Sequence, residues 1–195
     1  MLYIIHPANS FSQATRLWAT YYGGSGTEFG TNIATDVTGN VYVAGYTEST
    51  SGIASGGAQN THGGGLYDAF LVKFNAAGTF LWATYYGGTD NDFSSSVATD
   101  ASGNVYLAGT TYSTSGIASG GFQNTYGGAV FWGDAFLVKF NAAGTRIWAT
   151  YYGGTGDDQG YSVATDKITQ DVYLAGYTDS PTGIASGGFQ NTHGG

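Results

Sequence analysis

Short apolar segments separated by turn residues dominate the chain, and four of them recur in each repeated unit. In the first unit they are Asn32–Asp36, Val41–Thr47, Ala69–Phe74 and Phe80–Tyr86. These segments are rich in β-branched and aromatic side chains, and glycine, asparagine or aspartate follows each of them closely, which is typical of β-strands. The pattern therefore predicts four strands per unit.

Two of the connections are predicted to be tight hairpins. Residues 36–40 read DVTGN, and residues 75–78 read NAAG. Asp or Asn at the start of such a turn accepts hydrogen bonds from the following amides, while Gly and Asn tolerate positive φ. In the third segment Phe70, Val72 and Phe74 share one face and Ala69 and Leu71 the other, so both faces of the sheet need cover. Each unit is therefore predicted to be a covered four-stranded antiparallel meander.

The repeated unit occurs three times in the chain. The string WATYYGG occupies residues 18–24, 82–88 and 148–154, at spacings of 64 and 66, and GIASGG begins at residues 52, 116 and 183. DAFLVKFNAAGT occurs at residues 68–79 and 134–145. Repeats of this kind indicate that identical structural units stack on one another.

The third unit stops before its own copy of DAFLVKF, and the N-terminus is predicted to supply the missing strand. Joining Gly195 to Met1 brings Trp18 65 residues after Trp148 and places Leu2 where Leu66 would fall. The chain is then in register with itself from head to tail. A gene boundary that falls there by chance is the alternative.

These motifs resemble the bacterial SBBP-type β-propeller repeat. The resemblance rests on D-x-x-G-N-x-Y-x-A-G-x-T at residues 36–47, GG-A-QNT-x-GG at 56–64 and DAFLVKFN-x-x-G-T-x-x-WATYYGG at 68–88, and it covers nearly all of residues 16–195. It implies an all-β fold, a β-propeller built of four-stranded antiparallel blades, in a secreted or cell-surface bacterial protein that is usually part of a longer array. It supplies no catalytic residues, and residues 1–15 depart from the pattern.

We divide the chain into four parts of one propeller. Residues 1–15 are predicted to be an N-terminal strand that completes a blade of its own chain or of a partner. Residues 16–79 and 80–145 are blade repeats, and residues 146–195 are an incomplete third repeat. Three blades are fewer than the ~4–8 of a closed propeller, and their open apolar faces favour association. We therefore predict a homodimer that forms one six-bladed ring, with a head-to-tail filament as the alternative.

Composition restricts the partners and the location. Five Lys and Arg residues against 13 Asp and Glu give a net charge of −8, which is unsuited to nucleic acid. There is no Cys, hence no disulfide or thiolate chemistry, and no apolar run of about 18 residues that predicts membrane insertion. Residues 1–14 lack the basic start of a signal peptide. With the resemblance, low lysine content and the absence of Cys favour an extracellular or cell-surface location.

An acidic loop follows each YYGG and is the candidate metal site. Glu28, Asp92 and Asp158 stand at the same offset in the three units, with Asp90 and Asp157 beside them. Carboxylates close to glycine carbonyls suit calcium, which takes six to eight oxygens, although the EF-hand spacing is absent. The alternative is a solvated loop with turn-forming aspartates. No other cofactor is predicted.

The long loop between the second and third strands is the candidate ligand site. Its second copy carries Asn124, Tyr126, Phe131 and Trp132, the last two in or beside an insertion near residues 129–133 that the other units lack. Aromatic rings stack on the apolar faces of sugars while amides satisfy hydroxyls, so this loop is a candidate glycan site. The alternative is that its aromatic residues, such as Phe122, pack against blade edges.

The remaining acids are assigned structural roles. Asp36, Asp100 and Asp166 are predicted to cap hairpin turns, and Asp68 and Asp134 to cap a strand or to pair with a neighbouring charge. No nucleophile elbow, phosphate loop or metal-binding histidine spacing occurs, so we expect no enzyme. The leading hypothesis is a structural scaffold, assembly or adhesion module. A multivalent glycan-binding propeller and a self-polymerising filament subunit are the alternatives, and surface glycans or proteins are further partners.

Overall fold

The computed structural model describes residues 2–6, 15–128 and 131–194, and within them the chain is all β. None of the described residues forms a helix long and apolar enough to cross a membrane. The strands are β1 Leu2–His6, β2 Thr15–Thr20, β3 Glu28–Thr35, β4 Val41–Thr47, β5 Asp68–Phe74, β6 Phe80–Tyr86, β7 Asp92–Thr99, β8 Val105–Thr111, β9 Asp134–Phe140, β10 Arg146–Tyr152, β11 Asp158–Thr165 and β12 Val172–Thr178.

The strands form two full sheets flanked by two half sheets. β3–β6 and β7–β10 are four-stranded antiparallel meanders, while β1–β2 and β11–β12 are two-stranded. The predicted meander is therefore confirmed. The first strand of this sheet begins at Glu28, four residues before the predicted start. The register of β3 against β4 shifts between Gly30 and Asn32, and this shift hid the first residues of the strand from the prediction. A bulge of this kind breaks the alternation by which a strand is recognised in a sequence.

The sheets and the sequence repeats have different boundaries. The full sheets run over residues 28–86 and 92–152, so the repeat boundaries at 79/80 and 145/146 lie in the turns before β6 and β10. Of residues 1–15, the described part comprises β1, which pairs with β2, and the first residue of β2. The rest lies outside the described residues.

The register of β1 corrects the head-to-tail alignment. Leu2 lies opposite Thr20 and Tyr3 opposite Ala19, as Leu71 lies opposite Thr84 in the first full sheet. Leu2 therefore takes the position of Leu71 and not that of Leu66. The sequence comparison missed this because residues 7–14 separate β1 from β2, whereas only residues 75–79 separate β5 from β6.

Aspartate caps hold the first hairpin of each unit, as predicted. Asp36 Oδ1 accepts hydrogen bonds from the Thr38 and Asn40 amides at 2.9 and 3.0 Å, and Asp100 Oδ1 accepts equivalent bonds at 2.9 Å from Ser102 and Asn104. Burial alone would raise the pKa of Asp36, but the hydrogen bonds from Asn40 and Thr38 outweigh it and lower the pKa to about 2. The turn therefore holds a charged cap.

Adjacent sheets pack face to face through tryptophan. Trp82 of β6 is buried, and its Nε1 donates to the carbonyl of Ala142 in the next sheet at 3.1 Å. Gly144 has φ +82, and a Cβ on it would lie 2.8 Å from the Trp82 ring, so this glycine permits the close approach. Trp18 donates to Ala76 in the same way, at 3.0 Å. The half sheet β1–β2 thus packs on β3–β6 as β3–β6 packs on β7–β10.

The first strands of successive sheets lie side by side. Thr99 Oγ1 in β7 donates to the Thr35 carbonyl in β3 at 2.8 Å, and Thr165 Oγ1 in β11 donates to the Thr99 carbonyl at 2.7 Å. Each sheet therefore places its first strand along a shared edge, in the manner of propeller blades around an axis.

Candidate functional site

Two buried aspartates meet between the full sheets. Asp68 begins β5, Asp92 begins β7, and both are fully buried. Gly87 lies between them: a Cβ at this position would be 2.5 Å from Asp68 Oδ1 and 2.7 Å from Asp92 Oδ2. Only a residue without a side chain allows the two carboxylates to approach each other here.

The same arrangement recurs between the second full sheet and β11–β12. Asp134 begins β9 and Asp158 begins β11, and both are buried. A Cβ on Gly153 would lie 2.9 Å from both Asp134 Oδ1 and Asp158 Oδ2. We call Asp68–Asp92 and Asp134–Asp158 the two acid pairs.

In each acid one oxygen is held and the other is not. Asp68 Oδ2 accepts from the Gly63 amide at 2.6 Å, and Asp92 Oδ2 accepts from the Gly88 amide at 2.8 Å and from Ser113 Oγ at 2.9 Å. The second pair has matching bonds at 2.5–2.8 Å, from the amides of Gly127 and Gly154 and the hydroxyl of Ser180. The Oδ1 atoms of all four aspartates are buried and accept no hydrogen bond among the described residues.

Burial raises the pKa of three of these acids. It raises the pKa of Asp68 to about 6, against the lowering effect of the neighbouring Gly63 and Gly64 amides. It raises the pKa of Asp92 to about 7; Thr111, Gly88 and Ser113 act against it and the charge of Asp68 adds to it. Burial likewise raises the pKa of Asp134 to about 6. The folded protein therefore disfavours full ionisation of the pairs.

His62 is the one basic side chain that contacts an acid pair among the described ion pairs. Its Nε2 lies 3.9 Å from Asp68 Oδ1, and its ring packs edge-on against Tyr85 at 5.7 Å. Burial lowers the pKa of His62, so at neutral pH it is uncharged. Tyr126 takes the corresponding position at the second pair. No permanent positive charge thus balances the pairs.

The structure places the predicted calcium residues in different surroundings. Asp92 and Asp158 are buried in the acid pairs and are not in a solvated loop. Asp90 is exposed and accepts from the Asn91 amide at 2.7 Å. Asp157 Oδ1 accepts from the amides of Phe131 and Trp132 at 2.7 and 2.9 Å.

Glu28 lies in β3 at the position of Asp92 and Asp158 in the repeat, but it is not a member of an acid pair. Its Oε1 accepts from the Thr47 hydroxyl at 2.9 Å and from the Ser49 hydroxyl. The described residues contain no metal-binding group of three or more His, Cys, Asp and Glu side chains. Sequence reasoning missed Asp68 and Asp134 as partners. The signal was their recurrence 66 residues apart, matched by Gly87 and Gly153.

The predicted glycan residues differ in exposure and in their contacts. Phe131 and Trp132 are exposed and adjacent, with their backbone amides held by Asp157. Tyr126 is half-buried against Tyr151, and the Asn124 amide donates to the Gly121 carbonyl within its own loop at 3.0 Å. The exposed aromatic part of the predicted site is therefore the Phe131–Trp132 pair. Residues 129 and 130 lie outside the described residues.

An open groove lies beside each half sheet. The N-groove, beside β1–β2, has a volume of about 300 Å³ and is lined by Ile33, Val43, Phe70, Val72 and Phe74, among others. The C-groove, beside β11–β12, has a volume of about 490 Å³, and its lining includes Leu137, Trp148, Tyr152, Val172 and Leu174. Both are apolar faces whose equivalents in the middle of the molecule are covered by a neighbouring sheet.

Side chains at equivalent places in the repeat differ in exposure at the two ends of the molecule. Tyr21 is 85% exposed, whereas Tyr85, at the same place in the repeat, is 1% exposed. Tyr173 is 57% exposed, while its equivalent Tyr42 is fully buried and packs on Trp82 at 6.1 Å. The side chains are identical, so the difference lies in the missing neighbours.

Four-stranded antiparallel sheets that repeat along the chain and share a first-strand edge are consistent with the blades of a β-propeller. Residues 17–52 and 81–116 match the family described as SBBP, beta-propeller repeat. These two segments therefore carry the SBBP repeat, which confirms the resemblance seen in the sequence.

A similar protein comes from a giant virus. The chain is 27% identical over 214 aligned positions to "Uncharacterized WD repeat-containing protein L264" of Acanthamoeba polyphaga mimivirus. The alignment covers 98% of this chain and 15% of the viral protein. The chain thus spans a small part of that relative's length.

Proposed function

We propose that the chain is a non-enzymatic assembly module of an extracellular or cell-surface propeller, in which two copies join head to tail into one six-bladed ring. The observation that carries the proposal is the division of one blade into two half sheets with open edges, β1–β2 and β11–β12. Each copy would contribute two full blades and two half blades. Six blades fall within the ~4–8 of closed propellers.

The half sheets match as strands. In the first full sheet, Val43 and Ala44 of the second strand pair with Val72 and Leu71 of the third. β12 repeats the second strand, and β1 repeats the third in the register that places Leu2 at the position of Leu71. Pairing β12 of one copy with β1 of another therefore sets Ala175 opposite the partner's Leu2 and completes a four-stranded blade.

The half sheets also match as faces. Trp82 covers Tyr42 within the first full sheet and Trp148 covers Tyr106 within the second, both with ring centroids 6.1 Å apart. In the ring, the partner's Trp18 would cover Tyr173 in the same way. At the same time β11–β12 would enter the partner's N-groove, and β1–β2 would enter the C-groove. Both exposed apolar faces would then be buried, which favours association.

The mass in solution tests this assembly. We expect native mass spectrometry and light scattering to report twice the chain mass of 20.2 kDa. Ile33→Asp, which places a charge in the N-groove, is expected to yield monomers, because an unpaired charge is costly to bury. Ile168→Asp is the matched control, since Ile168 is 92% exposed in a turn.

Three outcomes would contradict the ring. A wild-type monomer would remove the assembly, and an equal loss of dimer in both aspartate variants would remove the N-groove as its site. Open polymers in negative-stain micrographs would favour the filament, in which the same edges join without closing.

A glycan-binding function is the second candidate, and the exposed Phe131–Trp132 pair favours it. We expect Trp132→Ala to abolish any binding that the folded protein shows on a glycan array, because stacking on the indole would be lost. Ile168→Ala removes another exposed apolar side chain, which lies in a different turn, and should leave binding unchanged. A wild-type protein that binds no glycan would eliminate this function without affecting the assembly.

A further inference from the structure

The acid pairs would carry negative charge that no neighbouring group balances once they ionise. In each pair two buried carboxylates approach across a glycine, and each has an Oδ1 atom without a hydrogen-bond donor. An uncompensated buried carboxylate is strongly unfavourable, and two together are worse. Something other than the surrounding protein must therefore supply positive charge when the pairs ionise.

No described side chain supplies it. His62 forms an ion pair with Asp68, and Lys139 forms one with Asp100, which belongs to neither acid pair. His62 is neutral at pH 7, and its position is taken by Tyr126 at the second pair. The other ionisable groups that interact electrostatically with the pairs are acids or tyrosines: Asp157 for Asp134, and Tyr85, Tyr86 and Tyr151.

We propose that each acid pair binds a hard cation of the calcium type, one between Asp68 and Asp92 and one between Asp134 and Asp158. Across each glycine the atoms that approach are the bare Oδ1 of Asp68 or Asp134 and the Oδ2 of Asp92 or Asp158. Carboxylate oxygens are the ligands that such an ion prefers, and glycine-rich segments bring further oxygen close. A Cβ on Gly63 would lie 2.2 Å from the Gly88 carbonyl oxygen and 2.8 Å from that of Gly87.

A divalent ion fits the arrangement better than a shared proton. One proton would leave each pair with a negative charge in a buried place, whereas a divalent cation neutralises both carboxylates. The hydrogen bonds to the Oδ2 atoms already fix the carboxylates with their Oδ1 atoms unpartnered. The pairs also recur at two junctions, with His62 beside one and Tyr126 beside the other, so the feature does not depend on a particular neighbour.

The cation would join adjacent sheets. Asp68 belongs to the first full sheet and Asp92 to the second, while Asp134 and Asp158 join the second full sheet to β11–β12. Binding would therefore stabilise the folded chain by mass action. Both pairs lie within one chain, so this inference does not depend on the proposed ring.

Direct titration of the wild-type protein is the primary test. At about pH 7.5, where the acids are ionised in water, we expect isothermal titration calorimetry to give two calcium ions per chain. Terbium, a calcium substitute, should luminesce on excitation of tyrosine, because Tyr85 and Tyr151 interact with the pairs. Excess calcium should raise the midpoint of thermal unfolding by about 5–10 °C over the value in chelator.

Isosteric variants assign the ions to the pairs. Asp92→Asn and Asp158→Asn should each reduce the stoichiometry from two to one. Asp90→Asn changes an exposed acid two residues away and should keep both ions. Wild-type protein that shows no heat, no terbium luminescence and no thermal shift would overturn the proposal, as would Asp92→Asn protein that keeps two ions. If the variants do not fold, the wild-type titration alone decides.

Discussion

In the presence of chelator, the free energy of unfolding is expected to fall as the pH rises from about 4 to about 8. The cause is the raised pKa of three buried acids: about 6 for Asp68 and Asp134 and about 7 for Asp92, against an ordinary value of 3.8 for aspartate. Between these limits the folded state binds more protons than the unfolded state, so stability is lost with increasing pH. One pKa unit corresponds to about 1.4 kcal/mol, so the total loss is on the order of several kcal/mol.

Other groups act in the opposite direction but over a different range or with less weight. The hydrogen-bonded turn caps Asp36 and Asp100 have lowered pKa values, so their stabilisation is complete above about pH 4 and is lost below it. Burial lowers the pKa of His62, so this residue adds stability as the pH rises towards the ordinary value for histidine, about 6.5. One histidine opposes three aspartates, so we expect maximal stability near pH 4–5.

Urea unfolding followed by circular dichroism between pH 4 and pH 8 measures this dependence. Asp92→Asn should flatten the fall in stability, because the variant side chain is neutral throughout, while Asp90→Asn should retain it. Calcium should restore stability at high pH if the acid pairs bind it. A free energy of unfolding that rises between pH 5 and pH 7 in chelator would show that the pairs do not hold protons.

The strands and hairpins of the fold were predictable because each depends on a short stretch of sequence. The hairpin capped by Asp36 needs only residues 36–40, and the strands around it follow from apolar segments. The start of β3 was missed because its bulge interrupts the alternation. The position of Leu2 was misassigned because a sequence comparison cannot show that more residues separate β1 from β2 than separate β5 from β6.

The acid pairs were not predictable in the same way, because their members belong to different sheets. Asp68 and Asp92 are separated by 24 positions and meet only when adjacent sheets stack on Gly87. The exposure of individual side chains could not be predicted from the sequence for a similar reason. Tyr21 and Tyr85 lie in identical WATYYGG strings, yet one is exposed and the other is buried, because burial depends on the neighbouring sheet and not on the string.

Trp82→Ala is expected to lower the free energy of unfolding by about 3–5 kcal/mol, the usual cost of removing a large buried aromatic side chain. The substitution leaves a cavity between the full sheets, opens the contact with Gly144 and leaves the Ala142 carbonyl without its indole donor. Trp132→Ala is the exposed control and should change stability by less than about 0.5 kcal/mol. Urea unfolding at one pH compares the two.

Trp18→Ala connects this measurement with assembly. Trp18 repeats the indole contact of Trp82 but borders the open N-groove and is only half-buried. At protein concentrations low enough to give monomers, its cost should be well below that of Trp82→Ala. If a second copy covers Trp18 as proposed, the cost should approach that of Trp82→Ala as concentration increases, because dimerisation and folding are then linked. A cost of Trp18→Ala that stays low and independent of concentration would mean that no second copy covers this face.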